Sequence, residues 1–136
     1  MDIKEIQNAF SECEVFKGLD PALVGLLIMT GNPASHAEGE SIYSKGDPAG
    51  GTFALVVSGK VSAVAQSGFV VNELGVGEII GEVGTMSQQG QRTITLKAVE
   101  PTRILKWDME EIREKSPELL AKLKDLAWKR IKTCCE

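Results

Sequence analysis

Residues 77–98 read GEIIGEVGTMSQQGQRTITLKA and hold side chains suited to gripping a charged ligand. An acid, Glu82, stands between Gly81 and Val83-Gly84, and an arginine, Arg92, follows ten residues later beside the hydroxyl of Thr93. Glycines around an acid let backbone approach a ligand closely. A chain that turns into a short helix here aims several amide N–H groups at one spot, which is an anion site. One guanidinium and one hydroxyl suit a single phosphodiester charge. A triphosphate would want magnesium ligands and more cations. Glu82 would repel such a phosphate and needs a purpose of its own; a sugar hydroxyl donating to its carboxylate supplies one.

Other chemistries lack their residues. The one histidine, His36, removes three-histidine metal sites and paired zinc-helix histidines; it reads as a surface histidine on the approach to a strand. No carboxylate cluster or nucleophile–base pair stands near Arg92, so a hydrolase is disfavoured, no metal is expected, and the chain is read as a non-enzyme. Gly75-Val76-Gly77-Glu78-Ile79-Ile80-Gly81 imitates a dinucleotide fingerprint, but its third glycine comes one residue late and no long helix follows. Ser58-Gly59-Lys60-Val61 lacks the first glycine and the magnesium-binding hydroxyl of a P-loop.

The elements that must position residues 77–98 are marked by periodicity and turns. Ile3, Ile6, Phe10 and Cys13 predict an amphipathic helix over 3–14. Asp20-Pro21 starts a second helix, whose apolar run Ala22 to Met29 predicts a buried one, and Gly31-Asn32-Pro33 stops it. From about 34 to 106 glycines punctuate short β-rich runs: Ser41 to Tyr43, Thr52 to Val57, Lys60 to Ala65, Phe69 to Leu74, Arg92 to Ala98 and Arg103 to Trp107. Ser67-Gly68 suits a hairpin turn. This spacing predicts a sandwich, roll or barrel. Asp108 with Glu111 fits a capping box for a third helix, and Ser116-Pro117 opens a fourth that runs to about Thr133. At about 100° per residue, Leu119, Leu120, Leu123, Leu126, Ala127 and Ile131 share one arc of that helix, while Trp128 lies off it and is expected to be covered by a second surface.

With Val15-Phe16-Lys17-Gly18-Leu19, Gly39-Glu40-Ser41-Ile42, Lys45-Gly46-Asp47 and Val57 to Val61 set before residues 77–98, the chain resembles the cyclic-nucleotide-binding domain family of catabolite-activator-like sensors. The resemblance covers nearly the whole chain; residues 77–98, the phosphate-binding cassette, are its specific part. It implies a mainly β fold with flanking helices (α+β): a double-stranded β-roll or jelly roll, N-terminal helices over 1–33, the roll over 34–107 and two C-terminal helices over 108–136. Residues 1–136 then form a single domain. By position, Glu82 resembles the acid that accepts from the ribose 2′-hydroxyl, and Arg92 the arginine paired with the cyclic phosphate. Gly81 and Val83 would give close backbone contact, Thr93 would contact phosphate or base, and Val71 would lie along the base or ribose wall. The sequence departs from the family at Thr85, where leucine is usual, and at Ile94, where a small alanine is usual. The larger Ile94 bears on affinity more than on fold.

The expected role is a sensor or regulatory module that binds a cyclic purine nucleotide, cAMP favoured over cGMP, and acts on a protein effector. The alternative is a degenerate roll that has lost its ligand and serves interaction or dimerisation. A net charge of −4, and no helix-turn-helix after the fourth helix, argue against a nucleic-acid partner. Apolar runs far shorter than ~20 residues argue against a membrane span. An N-terminus without an apolar signal region, and an odd set of cysteines (Cys13, Cys134, Cys135), point to reduced thiols in the cytoplasm. A homodimer would pair through the C-terminal helix.

Overall fold

The computed structural model describes residues 2–44, 51–64, 68–81 and 95–134. Helices α1 (Ile3–Glu12) and α2 (Pro21–Thr30) come first, then strands β1 (Asn32–His36), β2 (Ser41–Tyr43), β3 (Thr52–Ser58), β4 (Val61–Val64), β5 (Val70–Leu74), β6 (Ile79–Ile80), β7 (Thr95–Ala98) and β8 (Thr102–Asp108). Helices α3 (Met109–Lys115) and α4 (Pro117–Cys134) follow. Two antiparallel sheets form, in the orders β1-β8-β3-β6 and β2-β7-β4-β5. This is the expected β-roll with helices at both ends of the chain.

The apolar run in β3 is explained by burial on both faces. Successive strand residues point to opposite sides. Phe53, Leu55 and Val57 therefore join the cluster beneath the helices, while Ala54 and Val56 join the one between the sheets. Trp107 of β8 anchors the helical side. Its ring stacks on Phe53 at 5.6 Å and meets Phe10 and Phe16 edge-on at 5.9 and 5.7 Å. Its indole N–H donates to the Leu27 carbonyl at 2.8 Å, tying α2 to the sheet.

Helix starts follow the sequence. Asp2, Asp20 and Asp108 accept from the amides of Lys4, Ala22 and Glu110, and the Ser116 hydroxyl accepts from Leu119 N–H. On α4, Leu119, Leu120, Leu123 and Ala127 are buried, as their common arc requires.

Several expectations are corrected. Helix α2 is not buried all round: only Leu27 is, because only one stripe of the helix faces Trp107. Strand β1 is missed by a reading that treats Asn32-Pro33 purely as a stop; it pairs with β8 at the sheet's edge, where proline is tolerated. Strand β6 is two residues long and leaves no period to read. His36 belongs to β1 itself, and its side chain is 14% exposed rather than on the surface. Trp128 is 61% exposed, not covered. The outer strand ends at 65 and 92–94, Ser67 of the expected turn, and Lys45-Gly46-Asp47 lie outside the described residues.

Candidate functional site

The frame of the cassette is built by its flanking strands. Gly75 to Glu78 form a turn closed by the Glu78 N–H to Gly75 carbonyl bond, and β6 then pairs with β3 through Ile80 opposite Ala54 and Ile79 opposite Leu55. Two further bonds, Gly77 N–H to the Val56 carbonyl and Val56 N–H to the Glu78 carbonyl, lock this turn onto β3. Gly77 has φ +88°, and a Cβ there would stand 2.8 Å from the Glu12 Cβ, so the turn also presses against the end of α1.

Gly81 leaves β6 with φ +87°, a conformation that needs glycine. The chain reappears as β7, which belongs to the other sheet. The described chain thus leaves the edge strand of one sheet at Gly81 and is next described at Thr95, on an interior strand of the other. Glu82, Val83, Arg92 and Thr93, with Thr85 and Ile94, lie outside the described residues.

Val71 lies on β5, at an irregularity. Ala63 pairs with Asn72 and Val64 with Val70, so Val71 is the extra residue of a bulge. Val64 is also opposite Thr95, the first described residue after Gly81. The Val71 bulge and the exit of the cassette thus flank the same residue of β4, about 10 Å apart at ~4.8 Å per strand. Of the six predicted site residues the structure describes two: Gly81, just after β6, and Val71, on β5 with β4 between it and β7.

A polar pair beside this frame carries no local sequence signal. Ser62 of β4 is buried and donates to Glu73 of β5 at 3.4 Å, and Lys97 of β7 is opposite Ser62 on its other side. The two partners are eleven residues apart across a bulged hairpin, so only strand register brings them together.

A second polar cluster holds the turn after β1. Glu40 accepts from the Ala37 amide at 2.9 Å and lies 3.1 Å from Nδ1 of His36. The Ala37 N–H foremost, and His36 after it, hold the Glu40 carboxyl below its ordinary range. Nε2 of His36 is buried without a hydrogen-bond partner. Among the described residues no group of three His, Cys, Asp or Glu side chains could hold a metal ion. No helix among them is long and apolar enough to cross a membrane.

This frame is that of a β-roll. The chain matches the cyclic nucleotide-binding domain family over residues 33–116, more than half its length, and belongs to that family. It is similar to cAMP-bound PfPKA-R, with TM-score 0.79 and 21% identity over 95% of this chain and 43% of that one. It is similar to the catabolite activator protein of Thermus thermophilus, with TM-score 0.72 and 30% identity over 87% of this chain and 58% of that one. It is also similar to the regulatory subunit of a cAMP-independent protein kinase A from Trypanosoma brucei, with TM-score 0.78 and 18% identity over 97% and 46%. The chain thus spans less than two thirds of each of these three. Nothing matches among curated proteins.

Proposed function

We propose that this chain binds a cyclic purine nucleotide, cAMP in preference to cGMP, and acts as a regulatory module without catalysis of its own. The observation that carries this reading is the left-handed Gly81 just after β6, followed in sequence by Glu82 and Arg92 before the described chain resumes on the other sheet at β7. In this reading Arg92 neutralises the cyclic phosphate, Glu82 accepts from the ribose 2′-hydroxyl, Thr93 contacts phosphate or base, and backbone at Gly81 and Val83 closes on the ligand. Val71 lines the base or ribose wall. The preference for cAMP is supported by the ligand of the PfPKA-R relative. The module passes its signal to a protein effector in the cytoplasm and needs neither nucleic acid nor cofactor.

Calorimetric titration with both nucleotides tests this. The wild type binds cAMP more tightly than cGMP, and Arg92→Ala loses about 2–5 kcal/mol of binding through the missing charge-assisted contact. Wild-type affinity in Arg92→Ala overturns the site assignment. A second reading, a roll without ligand that serves protein interaction, is favoured by Thr85 and Ile94 and by the cAMP-independent kinase subunit among the relatives. Absence of heat and of any thermal shift with either nucleotide would establish it, because a ligand selective for the native state must stabilise it.

A further inference from the structure

Helix α2 breaks the rule that the outward face of a surface helix is polar. None of its ten residues is charged, and Thr30 is its only polar side chain. At 100° per residue, Gly25, Met29, Ala22 and Leu26 fall within an arc of about 100°. All four are exposed, Met29 at 85% and Leu26 at 38%, and a Cβ at Gly25 would meet no atom within 4 Å. Leu27, which accepts from Trp107, points the opposite way.

We propose that this seam pairs with the α2 of a second copy of the chain, antiparallel about a two-fold axis between Gly25 and Leu26. The pattern is self-complementary about that point. Ala22 then faces Met29 of the other copy, and Gly25 faces its Leu26, so every large side chain meets a small one. Knobs over gaps are what close helix packing requires. The uncharged face brings no like charges together, and the two helix dipoles run antiparallel. A groove of about 450 Å³ adjoins the seam; Phe10, Phe16, Val24 and Ile28 line it, with Gln7, Ser11 and Lys17 as its polar part, and its apolar floor extends the area that a copy can cover. The contact is nonetheless small. A helix of ten residues is ~15 Å long, and a standard interface buries about 800 Å² per partner. The association is therefore weak, with a dissociation constant on the order of 10–100 µM. The exposed side of α4 suits a copy less well, because Trp128 there has Lys124, Asp125 and Lys129 as exposed neighbours, which would need partners or desolvation.

Sedimentation equilibrium of the wild type from about 5 µM to 1 mM, a range that brackets that constant, tests the proposal without any nucleotide. It therefore stands or falls apart from the ligand reading. The expected result is a monomer–dimer equilibrium. Met29→Lys and Gly25→Leu each weaken it at least ~10-fold, while Trp128→Lys leaves it within about twofold. Gly25→Leu is the discriminating variant. It adds apolar surface and a better helix former at an open position, so it raises the thermal midpoint of the monomer while filling the gap that Leu26 of the other copy needs. A wild type that stays monomeric throughout overturns the proposal, and so does a dimer that survives either α2 substitution.

Discussion

At the scale of single residues, charge placement makes the testable statements. Glu82→Gln keeps an acceptor for a ribose hydroxyl but loses charge assistance, so it weakens nucleotide binding less than Arg92→Ala does. A 2′-deoxy cyclic nucleotide should lose affinity against the wild type and little further against Glu82→Gln. Additive losses, measured by calorimetry, would show that the carboxylate and the hydroxyl never meet. Glu40 makes a statement about pH. Its carboxyl is held low by the Ala37 amide and then by His36. A depressed carboxyl stabilises the fold above its unfolded value, and that contribution disappears as pH falls through the lowered folded value. Glu40→Gln should therefore melt below the wild type at neutral pH, with the gap closing in the acid range. The Glu40 side chain is half exposed, and solvent screening keeps that gap small. Parallel melting curves at all pH values would contradict the assignment.

At the scale of elements, the attachment of α2 depends on β8. The Trp107 indole donates to Leu27, the one buried residue of that helix. Trp107→Phe removes ring volume from the aromatic cluster and one of the two donors to the Leu27 carbonyl, which keeps the Gly31 N–H. The expected cost is about 2–4 kcal/mol in urea unfolding. Amide exchange should rise more in α2 than in β3, since local openings follow the weakest attachments. Uniform acceleration across both elements would show that α2 does not open on its own. The sequence marks this helix by its Asp20-Pro21 start and its apolar length. It does not reveal that only one stripe is covered, because a helix with no polar side has no period to read.

For the whole molecule, the question is how a filled cassette would be felt elsewhere. The turn before β6 presses against Glu12 of α1, and Lys122 of α4 donates to the Lys17 carbonyl in the connector that follows α1 at 2.7 Å. These contacts form a continuous path from the start of the cassette to the last helix. Trp128, 61% exposed, stands on that helix as its reporter. If nucleotide binding favours a closed arrangement of α4, saturating cAMP should shift Trp128 emission toward that of a less polar environment. The signal is the wild-type spectrum minus that of Trp128→Phe, which leaves the buried Trp107 intact. An unchanged difference spectrum in protein shown by calorimetry to be loaded would rule out this readout.

What the sequence by itself determined is whatever local chemistry dictates. Asp20, Asp108 and Ser116 announce helix starts because their side chains satisfy free amides. The run Thr52 to Val57 announces a strand by its β-rich composition. Glu82 and Arg92, by their types and separation, raise the expectation of a ligand with one charge and a sugar hydroxyl, which the nucleotide titrations test. The tertiary structure decided what depends on register and on neighbours distant in sequence. Strand β1 exists because β8 offers it an edge. His36 is covered because that strand and the Glu40 turn fold over it. Ser62 meets Glu73, and the Val71 bulge comes to lie across β4 from the cassette exit, because strand pairing joins segments that no spacing in the chain connects. The two-residue β6, too short to show any period, fixes where the described chain leaves the first sheet, at Gly81.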